Sequence, residues 1–220
     1  MNRPDAPLAV LFDLDGTLLD TAPDMSAALN ALRRLEGLAP LPFEAIRPHV
    51  SHGAARLVEV GFGCRAGERF ESLRQRYLQL YRNDLAAGTR LFDGLGEVLA
   101  ELEARRIPWG VVTNKPARFT LPLMDALGLD ARAACIVSGD TCPFPKPHPG
   151  PLLTAAELAG VAPQECIYLG DAERDVEAAV AAGMEVLIAN YGYLGEDDRP
   201  EEWGAHGRID TPQELLVYLK

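Results

Sequence analysis

The run Leu8-Ala9-Val10-Leu11-Phe12 leads directly into Asp13-Leu14-Asp15-Gly16, and no other stretch limits the fold so strongly. A short unbroken apolar run is the pattern of a strand buried on both faces, as in parallel sheets. Such a strand has little reason to end in charge unless its carboxyl end opens onto a site, which is where open α/β sheets bind ligands. Period-two geometry sends Asp13 and Asp15 to the same side if the strand continues that far, and Gly16 permits a sharp turn behind them. Two carboxylates held so close repel unless a cation or a proton intervenes. The stretch therefore predicts a metal, a raised pKa, or both.

Downstream, helical spacing is expected over 24–35, 43–50, 53–60 and 68–85, with breaks at Gly37–Pro42, at Ser51-His52-Gly53 and at Gly61-Phe62-Gly63. No strand-like run is read between about residues 20 and 105, so the stretch reads as an all-helical insertion after the first strand. From Trp109 the pattern changes. Apolar runs at 109–113, 134–138, 166–170 and 185–190 alternate with helical patterns at 117–127, 151–158 and 174–182. That alternation predicts an α/β fold, a doubly wound parallel sheet with right-handed crossovers. A last helix is expected over 212–219. The division read from this is a core of residues 1–19 and 91–220, with a helical cap of residues 20–90.

Polar groups stand where the predicted strands end: Asp13 with Asp15, Thr113, Lys146, and Asp171 with Asp175. In a parallel sheet those ends meet in one crevice. Asp and Gly after a strand can be a plain turn, and Asp171 stands where an N-cap belongs, so convergence carries more weight than any single residue. Asp13 suits a nucleophile that attacks phosphorus and splits one hard step into two. Asp15 suits an acid that protonates the leaving oxygen and then activates water. The hydroxyl of Thr113 and the backbone N–H of Asn114 can hold phosphate oxygens at a helix start. Lys146 lies in a loop with proline at every second position from Pro143; the stiff backbone lowers the entropy lost in placing its ammonium beside Asp13. Asp171 is expected to hold a hard cation, Mg²⁺, with Asp175 behind it supporting either that ligand or Lys146. Mg²⁺, Lys146 and a proton on Asp15 bring three carboxylates and a phosphate dianion near neutrality.

The formal net charge of −11 disfavours nucleic acid, whose phosphates attract basic patches. The N-terminus, with Arg3 followed by Asp5 and an apolar run cut at Asp13, lacks the pattern of a signal peptide, and no run reaches the length of a membrane span. Cys64, Cys135, Cys142 and Cys166 show no C-x-x-C spacing, which favours reduced thiols over zinc or disulfides. A cytoplasmic protein, monomer or homodimer, acting on a small phosphorylated metabolite is expected.

In order, Asp13-Leu14-Asp15-Gly16-Thr17, Thr113, Lys146 and Gly170-Asp171…Asp175 resemble the four motifs of the haloacid dehalogenase superfamily of phosphohydrolases, over essentially the whole chain. The resemblance implies a Rossmann-like core, a helical cap inserted after the first strand, and Mg²⁺ held by the Asp13 side chain, the Asp15 backbone oxygen and Asp171. The dehalogenase branch proper lacks the second aspartate, so Asp15 points to phosphoryl chemistry. Asp13–Thr21, Val112-Thr113-Asn114-Lys115-Pro116 and Lys146-Pro147-His148-Pro149 resemble the phosphoglycolate phosphatase branch. Val50–Arg56 and Asn190-Tyr191-Gly192-Tyr193 resemble a subgroup that includes N-acetylmuramic acid 6-phosphate phosphatases. One departure is Ala172, where Ser or Thr commonly follows the aspartate; it removes a hydroxyl and no ligand.

Caps of this kind reach over the site near Ser51, His52, Gly53 and Arg56, and Arg56 is expected to pair with a substrate carboxylate, since guanidinium matches carboxylate bidentately. A phosphosugar mutase shares the cap and all four motifs and differs in retaining the phosphoryl group on the sugar. A receiver-like binding module also combines an acidic pocket with a lysine, but lacks the helical insertion and the second aspartate.

Overall fold

The computed structural model describes residues 9–219; the N-terminal residues read for a signal peptide lie mostly outside them. Strand β1 (Ala9–Phe12) is wholly buried, and its side chains alternate between two cores. Val10 and Phe12 join one, Ala9 and Leu11 the other, as period-two geometry requires of a strand covered on both faces. The short strand β2 (Leu19–Asp20) follows. Helices α1 (Ala22–Leu35), α2 (Phe43–Ile46), α3 (Gly53–Phe62) and α4 (Glu68–Asn83) come next, with a 3₁₀ turn at Arg47–His52 between α2 and α3. Strand β3 (Arg90–Leu91) then pairs antiparallel with β2. The rest of the chain is α5 (Leu95–Ala104), β4 (Trp109–Val112), α6 (Ala117–Ala126), β5 (Cys135–Val137), α7 (Gly150–Ala159), β6 (Cys166–Gly170), α8 (Glu173–Ala182), β7 (Glu185–Ala189) and β8 (Gly207–Ile209).

The main sheet runs β5-β4-β1-β6-β7-β8 with every pairing parallel. Helices α5 and α6 cover one face through Leu95, Val98, Leu99, Leu102, Leu123 and Met124. Helices α7 and α8 cover the other through residues such as Leu152, Ala156, Val176 and Ala179. The order places β1 at the centre, between β4 and β6, so the residues following those three strands emerge side by side. Phe12 meets Trp109 edge-on, 6.4 Å between centroids, a contact worth about 0.5–1.5 kcal/mol beyond the area it buries.

The helical segment has an apolar cluster of its own. Phe70, Leu73, Tyr77 and Tyr81 recur at helical spacing on α4 and pack on Met25, Ala28, Leu29 and Leu32 of α1. Asp24 anchors the returning chain: its buried carboxylate accepts the Gly88 and Thr89 amides at 2.6 and 2.9 Å and the Thr89 hydroxyl at 2.6 Å.

Four details differ from the sequence reading. The strand pair β2–β3 interrupts the expected strand-free stretch, and two residues are too few to show a period. The 43–50 helix is α2 followed by the 3₁₀ turn, with Pro48 inside that turn, where a missing N–H shortens the α pattern. The 212–219 helix is a 3₁₀ helix, Pro212–Tyr218. The strand β8 and the helix α5 were not read: β8 buries only Ile209, and α5 falls in the unassigned stretch before Trp109.

Candidate active site

Asp13 is the first residue beyond β1, and its amide still donates to Leu169 O at 2.8 Å, so the sheet ladder fixes its backbone. Its Oδ1 accepts the Leu14 amide at 2.7 Å. Thr113 holds the same place beyond β4, its amide bonded to Val137 O at 2.9 Å. Asp171 follows β6 directly. The topology thus delivers the three residues to one edge of the sheet, all buried.

Lys146 arrives from the loop after β5. Its ammonium is fully buried and lies 2.9 Å from Asp13 Oδ1, 2.7 Å from Asp175 Oδ1, 2.8 Å from Val112 O and 2.7 Å from the Tyr168 hydroxyl. The Asn114 side chain clamps this loop: Oδ1 accepts the Lys146 amide and Nδ2 donates to Lys146 O, both at 2.9 Å. That use of the Asn114 amide was not foreseen, since only its backbone N–H entered the sequence reading. Asp175 Oδ2 accepts the Ala172 amide at 3.1 Å at the start of α8, so one carboxylate both closes a helix terminus and holds the lysine.

The carboxylates of Asp13, Asp171 and Asp175 offer oxygens that all lie within 4.8 Å of one another. Burial pushes Asp171 up to about 7, reinforced by Asp13 and Asp175, against the opposing Tyr193 amide and Ser51 hydroxyl. Asp13 is also raised, by burial first; Lys146 pulls it down and Asp175 pushes it up. The Ser51 hydroxyl lies 3.0 Å from the backbone oxygen of Asp15 and 2.8 Å from Asp171 Oδ2, so these two oxygens face one point. A Cβ on Gly16, whose φ is +87°, would collide with the Asp171 carboxylate and with Ser51, which is why the turn there requires glycine. Buried, oxygen-only donors carrying excess negative charge are what a hard divalent cation binds.

Asp15 turns toward Thr21 and Lys115. Its Oδ1 accepts the Thr21 hydroxyl at 2.6 Å and pairs with the Lys115 ammonium at 2.8 Å. Lys115 is buried; burial would discharge it, but Asp15 more than compensates and holds it protonated. Lys115 also lies 4.8 Å from the Tyr81 ring centroid. Arg174, in the first turn of α8, donates to Ser51 O at 2.6 Å; burial opposes its charge, and Asp175, Asp13 and Asp171 together hold it on.

Above these groups opens a cavity of about 430 Å³, lined by Asp13, Asp15, Thr113, Asn114, Ser51, His52 and Gly53 among others. Burial followed by the Arg174 charge holds the His52 pKa below the ordinary histidine value. Asp171 borders an adjoining cavity of about 280 Å³ on the other side of Ser51 and Arg174. Arg56 is not brought together with these groups. It does not line either cavity, and its guanidinium pairs with Glu59, one turn along α3, at 2.9 Å. A carboxylate at i+3 competes locally for the cation, and the sequence pattern had not weighed that partner. Lys115 and Arg174 were missed as site residues. Arg174 did carry a signal: an arginine between Glu173 and Asp175 in a first turn opposes the helix dipole, and an adjacent anion cluster offsets that cost.

A parallel sheet with a buried acidic, lysine-bearing crevice at its carboxyl edge, and a helical segment inserted between β2 and β3, is a Rossmann-like arrangement. A model of the haloacid dehalogenase-like hydrolases matches residues 10–189, and the chain belongs to that family. It is 44% identical over 212 residues to a phosphoglycolate phosphatase of Xylella fastidiosa (strain Temecula1), covering 95% of this chain and 91% of that protein. It is 42% identical to an N-acetylmuramic acid 6-phosphate phosphatase of Pseudomonas aeruginosa, covering 96% and 94%. The crystal structure of a "predicted phosphoglycolate phosphatase" from Haemophilus somnus 129pt superimposes with a TM-score of 0.86 over 100% of both chains at 25% identity.

Proposed function

We propose that the protein hydrolyses a small phosphate monoester through an aspartyl-phosphate on Asp13, in the manner of a phosphoglycolate phosphatase. The observation that carries this is the Asp13–Lys146–Asp175 array, buried beneath a cavity with Asp15 on its wall. Lys146 offsets the charge of Asp13, so the carboxylate can approach a phosphate dianion. Asp13 then forms a bond to phosphorus as the ester oxygen leaves. Asp15, oriented by Thr21 and Lys115, gives that oxygen its proton and afterwards takes one from the attacking water. The Thr113 hydroxyl and the Asn114 backbone N–H hold the phosphoryl oxygens.

The Asp13 side chain, the Asp15 backbone oxygen and Asp171 would hold Mg²⁺. Bound there, it supplies a Lewis acid that neutralises phosphoryl charge and fixes the in-line geometry. Residues 20–90 act as a cap over a core of 1–19 and 91–220, with Ser51, His52 and Gly53 at its working edge; their place on the cavity wall supports this. Four free thiols are consistent with a cytoplasmic protein, and no helix among the described residues is long and apolar enough to cross a membrane.

An N-acetylmuramic acid 6-phosphate phosphatase is the second reading, favoured by the size of the cavity. Steady-state kinetics with Mg²⁺ on 2-phosphoglycolate, N-acetylmuramic acid 6-phosphate and other sugar phosphates, with product analysis, tests the proposal. Release of free phosphate is expected; phosphate moved to another hydroxyl of the sugar would make the protein a mutase instead.

A further inference from the structure

The 3₁₀ turn Arg47–His52 is fastened to the acidic edge, and one fastening ends on the oxygens assigned above to the cation. The Ser51 hydroxyl lies 2.8 Å from Asp171 Oδ2 and 3.0 Å from the backbone oxygen of Asp15. A carboxylate and a carbonyl only accept, and a hydroxyl carries one hydrogen, so a single proton is shared between two acceptors. Among the described residues nothing donates to Ser51 Oγ in return, and its lone pairs stay free beside the acidic edge. Mg²⁺ holds oxygens at about 2.0–2.1 Å in a near-ideal octahedron, which sets neighbouring ligands about 2.8–3.0 Å apart. Ser51 Oγ stands at that spacing from both oxygens. The turn is tied down twice more. The Ser51 carbonyl accepts Arg174 Nη2 at 2.6 Å. Arg47, at the other end of the turn, donates to Tyr191 O at 3.1 Å and lies 4.8 Å from the Tyr193 ring centroid. The Tyr193 amide donates in turn to Asp171 Oδ2 at 2.9 Å, so the turn and the chain after β7 grip the same carboxylate oxygen.

Resting on the phosphatase reading and its cation site above, we propose that Ser51 is a further ligand of the cation, supplied by the cap. Its hydroxyl oxygen takes a place beside Asp15 O and Asp171, so that metal binding and cap closure strengthen each other. A hydroxyl is a hard oxygen donor of the kind Mg²⁺ takes. It adds no charge to an edge where Asp13, Asp171 and Asp175 already repel. The coupling is reciprocal: whatever closed-cap contact adds to metal affinity, the metal adds to closure. An open cap removes one neutral ligand and leaves the charged ones on the core, so product can leave without stripping the cation.

Two measurements on the substrate-free protein test this, both with MgCl₂ added after EDTA treatment at one fixed pH. Calorimetric titration should show Mg²⁺ binding weakened roughly tenfold in Ser51→Ala, the lower end of what losing a group at a metal site costs. Hydrogen exchange should show Mg²⁺ slowing the amides of residues 47–56 in the wild type, with that protection largely lost in Ser51→Ala. The variant's Tm in EDTA should stay within about 2 °C of the wild type; a merely structural serine would lower that Tm and leave the Mg²⁺ affinity alone. Unchanged affinity in Ser51→Ala overturns the proposal. So does tighter binding, which would mean that the hydroxyl occupies the cation's place and bars it. Equal protection of residues 47–56 in both proteins overturns the coupling to the cap. Each of these leaves the phosphatase reading standing. A wild type that binds no Mg²⁺ by calorimetry sinks the cation site itself, and Ser51 as its ligand falls with it.

Discussion

Replacing Lys146 by methionine keeps most of the volume and removes the charge that two buried carboxylates share. At 2.9 Å from Asp13 and 2.7 Å from Asp175, each attraction is about 6 kcal/mol at an effective dielectric constant near 20. The cost of burying the three charges offsets much of this, so the net loss is smaller. Removing one partner of a buried pair costs about 3–5 kcal/mol, because the other charge is left uncompensated. A chain of 220 residues loses about 2–4 °C per kcal/mol, so Tm should fall by about 6–20 °C. Lys146 is what pulls Asp13 down against burial, so without it the Asp13 carboxyl rises further and the loss should be greater at pH 8 than at pH 5. Thermal unfolding of Lys146→Met, Asp175→Asn and the double variant checks this. The double variant should be more stable than the sum of the two single losses implies. A Tm within about 2 °C of the wild type for Lys146→Met, or strict additivity, would refute the electrostatic account.

Asp171, pushed up to about 7 by burial and by Asp13 and Asp175, is protonated in much of the metal-free protein at neutral pH. Its raised pKa favours the fold below the ordinary carboxylate range, and that contribution is lost as pH rises through 7. Because Mg²⁺ needs the ionised form, its apparent affinity should rise about tenfold from pH 6 to pH 8 and then level off. Calorimetric titration at several pH values measures this; a flat profile would contradict it. Lys115→Met removes the ammonium at 2.8 Å from Asp15 and should lower kcat about tenfold to a hundredfold on an alkyl phosphate. The loss on p-nitrophenyl phosphate, whose leaving group needs no proton, should be much smaller. Equal losses would show that Lys115 does not act through Asp15.

The sheet and the acidic edge were legible because they rest on short-range pattern plus one topological rule. Apolar runs marked the strands β1, β4, β5, β6 and β7, and parallel pairing gathers the residues at their carboxyl ends; Asp13, Thr113 and Asp171 needed no more than that. Lys146 was legible as the charge in a proline-rich loop, although the Asn114 clamp that seats it depends on a contact across 32 residues. The features that escaped depend on packing between segments. Lys115 looked like an ordinary residue at a helix start, and its burial comes from packing against Tyr81 of α4 and Met25 of α1. Arg56 was named from its neighbourhood in the chain, and a sequence does not show that Glu59, one turn on, pairs with it. The strands β2, β3 and β8 are too short for periodicity to register.

In the proposed mechanism Asp13 carries the phosphoryl group. Rapid acid quench of the enzyme with a saturating phosphate monoester and Mg²⁺, then peptide mapping, tests it directly. One phosphoryl group on the peptide containing Asp13, formed and lost at the rate of turnover and absent from Asp13→Asn, is the expected result. Undiminished phosphate release by Asp13→Asn, or label on any other residue, would contradict the account.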